Sequence, residues 1–205
     1  MTPSRPRDEG EWARKVRGAG LAGALADAVG TYLAILARWS SAVDLVGGMD
    51  DDQVVNQVGE SLAALPWVAP TDRLLDVGSG NGFPAVPLLL ARDGVTGVLL
   101  EPRERRWAFL REVVRELALP VEVVRERIAQ HRGGPYNVVT VRGVPMEAWL
   151  PHAGRLLDRE GTLLWWTSTA NAAELAQGVE EGRVITSPLH ESGRGCLAAW
   201  RRCST

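Results

Sequence analysis

The sequence predicts an α/β fold: a seven-stranded, mostly parallel sheet with helices on both faces, preceded by an amino-terminal helical extension. Three observations predict it. After Pro70, short apolar runs alternate with amphipathic stretches of helical length, the order that yields parallel strands joined by helical crossovers. A glycine-rich turn, Gly78 to Gly82, sits between one such run and one such stretch. A second apolar run, Gly97 to Leu100, ends in an acid, Glu101.

The elements follow in chain order. Residues 1–20 read as a flexible, mildly basic arm, in which Arg5, Arg7, Arg14, Lys15 and Arg17 accompany Asp8, Glu9 and Glu11. Residues 21–70 read as the helical extension. Within it, Leu25, Ala28, Val29, Tyr32, Leu33 and Leu36 fall on one stripe of a helix over 21–38. Gly47-Gly48 breaks the chain. A second helix then opens at Met49-Asp50-Asp51-Asp52, with acids where the helix dipole favours them, and runs to about Leu65. Residues 71–205 read as the core. Strands are expected at 74–77, 97–100, 121–124, 138–141 and 162–166, and helices at 84–91, 105–117, 146–157 and 170–179. The 105–117 helix turns Trp107, Leu110, Val114 and Leu117 inward. Val184–Ser187 and Leu197–Trp200 close the sheet as a hairpin.

A chain of 205 residues allows one core with a small appendage. No apolar run approaches the roughly 18 residues of a membrane span, and the amino terminus lacks the apolar stretch of a secretory signal. Two cysteines, Cys196 and Cys203, are too few for a disulfide framework, so a reducing cytoplasm is expected. The net charge of −2 argues against a free-standing nucleic-acid binder but leaves room for local basic patches. All of the 23 basic residues except Lys15 are arginine, whose fork suits phosphate and carboxylate; genome composition explains the bias equally well.

The most informative stretch is LLDVGSGNGFP over 74–84, an apolar strand ending in Asp76, a glycine turn, and a proline placed to start a helix. Gly78, Gly80 and Gly82 are spaced G-x-G-x-G, whereas dinucleotide loops read G-x-G-x-x-G. Phe83 stands where the third dinucleotide glycine would be and leaves little room for a pyrophosphate. No lysine follows, so the nucleotide-triphosphate loop is also excluded. The pattern resembles the first motif of class I methyltransferases, which have a Rossmann-like core. There the loop cradles S-adenosyl-L-methionine, a sulfonium without phosphate. Asp76 suits a nearby cation and would repel a pyrophosphate. Glu101 ends the second strand about 20 residues past the loop, the place from which an acid accepts ribose hydroxyls. The segment Arg125 to Ala129 follows the third strand, where a loop covers adenine. Arg142 ends the fourth strand and points to the reaction centre or the cofactor carboxylate; a structural ion pair is the alternative.

These motifs together resemble the RsmG/GidB family. Residues 75–88, LDVGSGNGFPAVPL, are similar to its acid and G-[ST]-G-x-G followed by P-G-[IV]-P-L, and the paired prolines Pro84 and Pro87 make the match specific. Residues 99–110, LLEPRERRWAFL, resemble its L-[DE]-S-x-x-K-R-x-x-F-L segment, and Val139 to Val144 its S-R-A segment. The likeness covers about 30–200 and is strongest over 74–145. It departs at Gln57 and Glu60, where the family has His and Asp, at Ala129, where it has an acid, and around Thr167, where it has a lysine. The resemblance implies methyl transfer to N7 of a guanine in 16S ribosomal RNA, free or in the small ribosomal subunit. It also implies that Gly78, Phe83, Ile128, Ala129 and Arg142 line the cofactor site, with Arg142 as the catalytic candidate. Guanine N7 carries an exposed lone pair, so positioning supplies most of the rate and no strong base is needed. No metal is expected, since His131, His152 and His190 lack ligand spacing. Arg103, Arg105, Arg106 and the arm are candidate phosphate contacts, although Arg105, Arg106 and Arg111 equally suit a solvated helix face. The alternatives are a small-molecule methyltransferase, with Trp149, Trp165 and Trp166 as an aromatic pocket, and a catalytically silent cofactor-binding paralogue.

Overall fold

A computed structural model describes residues 7–179, 182–189 and 195–202. Seven strands form one sheet: β1 (Arg73–Val77), β2 (Thr96–Leu100), β3 (Val121–Val124), β4 (Tyr136–Arg142), β5 (Leu157–Thr167), β6 (Arg183–Pro188) and β7 (Cys196–Arg201). Their spatial order is β3-β2-β1-β4-β5-β7-β6. β1 to β5 are mutually parallel, and β7 runs antiparallel to both β5 and β6. The chain winds outward from β1 in one direction through β2 and β3, and in the other through β4 and β5. That reversal opens a crevice at the carboxyl ends of β1 and β4, the usual ligand position in such sheets.

The helices are α1 (Glu9–Gly18), α2 (Gly23–Ser40), α3 (Asp51–Leu62), α4 (Ala85–Ala91), α5 (Glu104–Glu116), α6 (Met146–Leu156) and α7 (Thr169–Gly178). None of the described helices is long and apolar enough to cross a membrane. Sheet alternation sorts the core into two layers. Leu74, Leu99, Val138, Leu164 and Trp166 pack in one layer with α2, α3, α4 and α5. Leu75, Leu100, Val139, Leu163 and Trp165 pack in the other with α6 and α7. Trp149, Trp165 and Trp166 are 1%, 4% and 5% exposed, so they are core residues rather than exposed aromatics. The amino-terminal helices share the first layer with the sheet and have no separate core.

Two segments depart from expectation. Much of the expected arm is helix α1. Asp8 accepts from the Glu11 backbone, and Glu11 reaches back to the Asp8 N–H, a reciprocal cap that fixes the first turn. Trp12, Ala13 and Val16 are buried against α2. The fit needs Gly30, where a Cβ would lie 2.7 Å from the Glu9 carbonyl oxygen and 2.9 Å from Ala13. Residues 1–6 lie outside the described residues. The second difference is β5, which begins at Leu157, five residues before the expected Thr162. Leu157 pairs with Tyr136, and the register then shifts before Thr162 meets Val138. This irregularity interrupts the apolar alternation, because Asp158, Arg159 and Glu160 occupy it. The hairpin of β6 and β7 forms as expected.

Candidate active site

The turn after β1 is built from backbone that side chains would spoil. Gly78, Gly80 and Gly82 have φ of +71°, +52° and +94°. A Cβ on Gly78 would stand 2.6 Å from Val144 Cγ2. A Cβ on Gly82 would stand 2.9 Å from both the Tyr32 hydroxyl and Val86 Cγ2. The turn is tied on every side. Ser79 N–H donates to Leu100 O at 2.9 Å, and Gly82 N–H to Ser79 O at 2.7 Å. Tyr32 O–H donates to Asn81 O at 2.6 Å, and Asn81 Nδ2 donates to Leu45 O at 3.0 Å. Phe83 is buried edge-on against Tyr32, with ring centroids 5.4 Å apart. It therefore anchors the turn to α2 and leaves the crevice open.

The two strand-end acids have different surroundings. Glu101 is 3% exposed and lines the crevice. Its Oε2 accepts from Gly80 N–H at 2.9 Å and its Oε1 from Arg103 N–H at 2.8 Å. Each oxygen retains a further lone pair. Asp76 is buried under the turn at 1% exposure. Its Oδ1 accepts from Thr140 Oγ1 at 2.7 Å, and its Oδ2 finds no partner among the described residues. Burial pushes the Asp76 carboxyl up to about 6, against the opposing pull of Thr140 and Ser79. Burial also holds the Tyr32 phenol well above its ordinary value, so it stays a neutral donor.

The crevice measures about 550 Å³. Its wall carries Arg103, Arg106, Arg127 and Arg142 beside Gly78, Gly80 and Glu101. Arg106 Nη2 donates to Asp44 O at 3.0 Å, which leaves the rest of its fork for the crevice. Arg142 pairs through Nη2 with Glu60 Oε2 of α3, and Trp166 Nε1 donates to the Glu60 carbonyl at 2.8 Å. The ion-pair alternative for Arg142 is therefore realised. Its Nη1 is buried without a hydrogen-bond partner among the described residues. A larger hollow of about 870 Å³ lies at the opposite ends of the strands, among Pro66, Asp72, Arg92 and Asn137. It lacks a strand-end glycine turn, and the topology directs ligands to the carboxyl ends, so the smaller crevice is the candidate site.

Of the residues expected from sequence, Gly78, Gly80, Phe83, Glu101 and Arg142 converge on this crevice. Four do not line it. Asp76 lies beneath the turn, one residue inside β1, where its side chain bonds that of Thr140 beside it on β4. Gly82 is a packing glycine under Tyr32. Ile128 is buried in the second core layer. Ala129 is exposed, and Arg127 is the residue of this loop that reaches the crevice. Sequence reasoning missed Tyr32 and Asn81 as supports of the turn, and Leu45 and Gln57 as lining. It also missed the network in which buried His131 bonds Glu126 through Nδ1 and Tyr136 Oη at 2.7 Å through Nε2. That network ties the loop after β3 to the start of β4. The sequence offered one signal for it: Gly133 leaves the space where a Cβ would sit 2.6 Å from both His131 and Tyr136.

A glycine turn after β1, an inward acid after β2 and a crevice at the β1/β4 switch define a Rossmann-like methyltransferase. Solved structures share this fold. An RNA methyltransferase from Salinibacter ruber in complex with S-adenosyl-L-homocysteine superposes with TM-score 0.57 at 17% identity, covering 77% of this chain and 95% of that one. An rRNA methylase from Streptococcus thermophilus gives TM-score 0.55 at 11% identity, covering 77% and 99%. The sequence narrows the class. The family model described as rRNA small subunit methyltransferase G, GidB, matches residues 26–188, and the chain belongs to that family. The ribosomal RNA small subunit methyltransferase G of Alkalilimnicola ehrlichii is 37% identical over 74% of this chain and 70% of its own length. That of Granulibacter bethesdensis is 33% identical over 83% and 82%.

Proposed function

We propose that the protein transfers a methyl group from S-adenosyl-L-methionine to N7 of a guanine in 16S ribosomal RNA, acting in the cytoplasm on the small ribosomal subunit. The observation that carries this reading is the crevice where the glycine turn, Glu101 and Arg142 meet. The residues fit such a cofactor. Gly80 leaves bare backbone between Arg106 and Glu101, so a nucleoside can approach closely. The spare lone pairs of Glu101 suit ribose hydroxyls. Arg142 lines the same crevice, and its guanidinium suits the cofactor carboxylate. The cofactor, when bound, supplies an activated methyl on a sulfonium.

Everything else is positioning. Glu60 fixes the guanidinium plane of Arg142, and Trp166 fixes Glu60. Arg103, Arg106 and Arg127 offer forks to RNA phosphates at the crevice mouth. Guanine N7 attacks with its own lone pair, so orientation accounts for the chemistry these residues provide. The test is incubation of unmethylated small ribosomal subunits with labelled cofactor. Label is expected in a single guanine of 16S RNA, and Arg142→Ala is expected to lower turnover about tenfold in a folded protein. Cofactor binding without label in RNA would defeat the reading in favour of another substrate.

A further inference from the structure

A second cavity, about 380 Å³, lies beside the cofactor crevice. Gly143, Val144 and Pro145 line both, so the two are lobes separated by one backbone segment. Gly143 has φ +66°, and a Cβ there would meet nothing within 4 Å, so at this residue the partition is bare backbone. The second lobe is walled by Met146 and Glu147 of α6, by Trp165, Trp166 and Thr167 of β5, and by Asn171 and Glu174 of α7. It sits at the carboxyl ends of β4 and β5, next to the place where a methyl donor would be held.

The two lobes carry opposite charge. Four arginines, Arg103, Arg106, Arg127 and Arg142, line the first. Among the described residues no arginine or lysine lines the second, whose ionisable side chains are Glu147 and Glu174. Both acids are exposed and stand on braced helices. Trp149 packs α6 onto Trp165, with ring centroids 5.1 Å apart. Ser168 caps α7, and Asn171 Nδ2 donates to Thr167 Oγ1 at 3.0 Å, which fixes the turn that precedes Glu174. Asn171 and Glu174 are three residues apart and share a helix face.

We infer that this lobe is the base-accepting subsite: it takes a guanine turned out of the RNA, with N7 toward the shared wall and the opposite edge toward Glu147 and Glu174. The inference rests on the proposed activity and adds how the base is chosen. Enzymes that modify a base commonly extrude it and read its Watson–Crick edge. A guanine whose N7 faces the methyl donor turns N1–H and the exocyclic amine to the far side. Carboxylates accept from both of those donors and have no donor of their own. Adenine presents a bare N1 lone pair at that edge, which a carboxylate repels. A site built for a donor strongly rejects the analogue that lacks it. The arginine lobe holds phosphates and cofactor while the acidic lobe holds the base, so the charge division matches the two ends of a nucleotide.

The test uses the full-length protein, small ribosomal subunits and labelled cofactor, comparing wild type with Glu147→Gln, Glu174→Gln and the double variant. The double variant is expected to lose at least about tenfold in kcat/KM, with cofactor affinity unchanged. Subunits reconstituted with inosine at the target, which lacks the exocyclic amine, separate recognition from scaffolding. Wild type should methylate them several-fold more slowly than guanine, and the double variant should show no such difference. A double variant that methylates guanine as fast as wild type, or keeps full discrimination against inosine, overturns the subsite alone. A wild type that labels no RNA while binding cofactor overturns the proposed activity and the subsite with it.

Discussion

An acid stands at the tip of each of β1 and β2, one residue inside the first strand and one residue past the second, yet the two tips are built on opposite principles. At the tip of β2, Glu101 faces the crevice and has both oxygens tied to backbone N–H groups. At the tip of β1, Asp76 is sealed under the turn with one oxygen unpartnered, and burial lifts its carboxyl to about 6. The first tip offers a charge to a ligand. The second offers a shape, made by glycines above an acid that holds Thr140. By register the two acids fall on the same face of the sheet, so what separates them is position along the strand: Asp76 lies one residue inside β1 and Glu101 one residue past β2, where the crevice begins.

This contrast can be broken in order of expected effect. Gly78→Val forces a side chain into a left-handed backbone and onto Val144, so cofactor affinity should fall by about 100-fold or more. Titration calorimetry reads it, and an effect smaller than that of Glu101→Ala would show that the β1 tip does not act through shape. Glu101→Ala should weaken the cofactor about tenfold, the size of a lost charged hydrogen bond. Unchanged affinity would remove Glu101 from the ribose role.

Asp76→Asn should act on stability rather than on contact. Below the usual Asp value the carboxyl is protonated in both folded and unfolded chains. As pH rises toward 6 the unfolded chain has released the proton while the folded one retains it. Stability therefore falls through that window, by about 3 kcal/mol in all, and the variant should flatten the slope. Urea titrations from pH 4 to 7 check this; parallel profiles for wild type and variant would mean that Asp76 is not the buried acid described. The smallest effect is expected for Tyr32→Phe, which removes one bond to Asn81 O and should cost about 1 kcal/mol with a few-fold loss of cofactor affinity.

The β1–turn–α4 unit, the acid after β2 and the β6/β7 hairpin were legible because their signals are local: an apolar run, glycines and a helix start within about a dozen residues. Helix α1 was hidden by Gly10, Gly18, Gly20 and a dense mix of charges, although Asp8 and Glu11 carry a capping signature. The start of β5 was hidden because polar residues fill its irregular segment. Within the site, the residues that follow a strand end were legible, and the direction of each side chain was not. Asp76 and Ile128 were expected in the crevice and lie in packed interiors, while Arg127, one residue before Ile128, reaches it. A one-residue change of face is decided by packing with distant elements, and no local pattern encodes it. Tyr32, Leu45 and Asn81 were missed for the same reason, since their bonds span 49 and 36 residues.

Those long-range bonds constrain how the molecule can be rearranged. The Tyr32 ring occupies the hollow above Gly82, and its hydroxyl grips Asn81, so the amino-terminal helices form part of the mould in which the nucleoside turn is cast. A shortened protein beginning at β1 would keep the strands and lose that mould. Exchange of these helices between relatives would succeed only where positions 32 and 81–83 travel together as one inherited block.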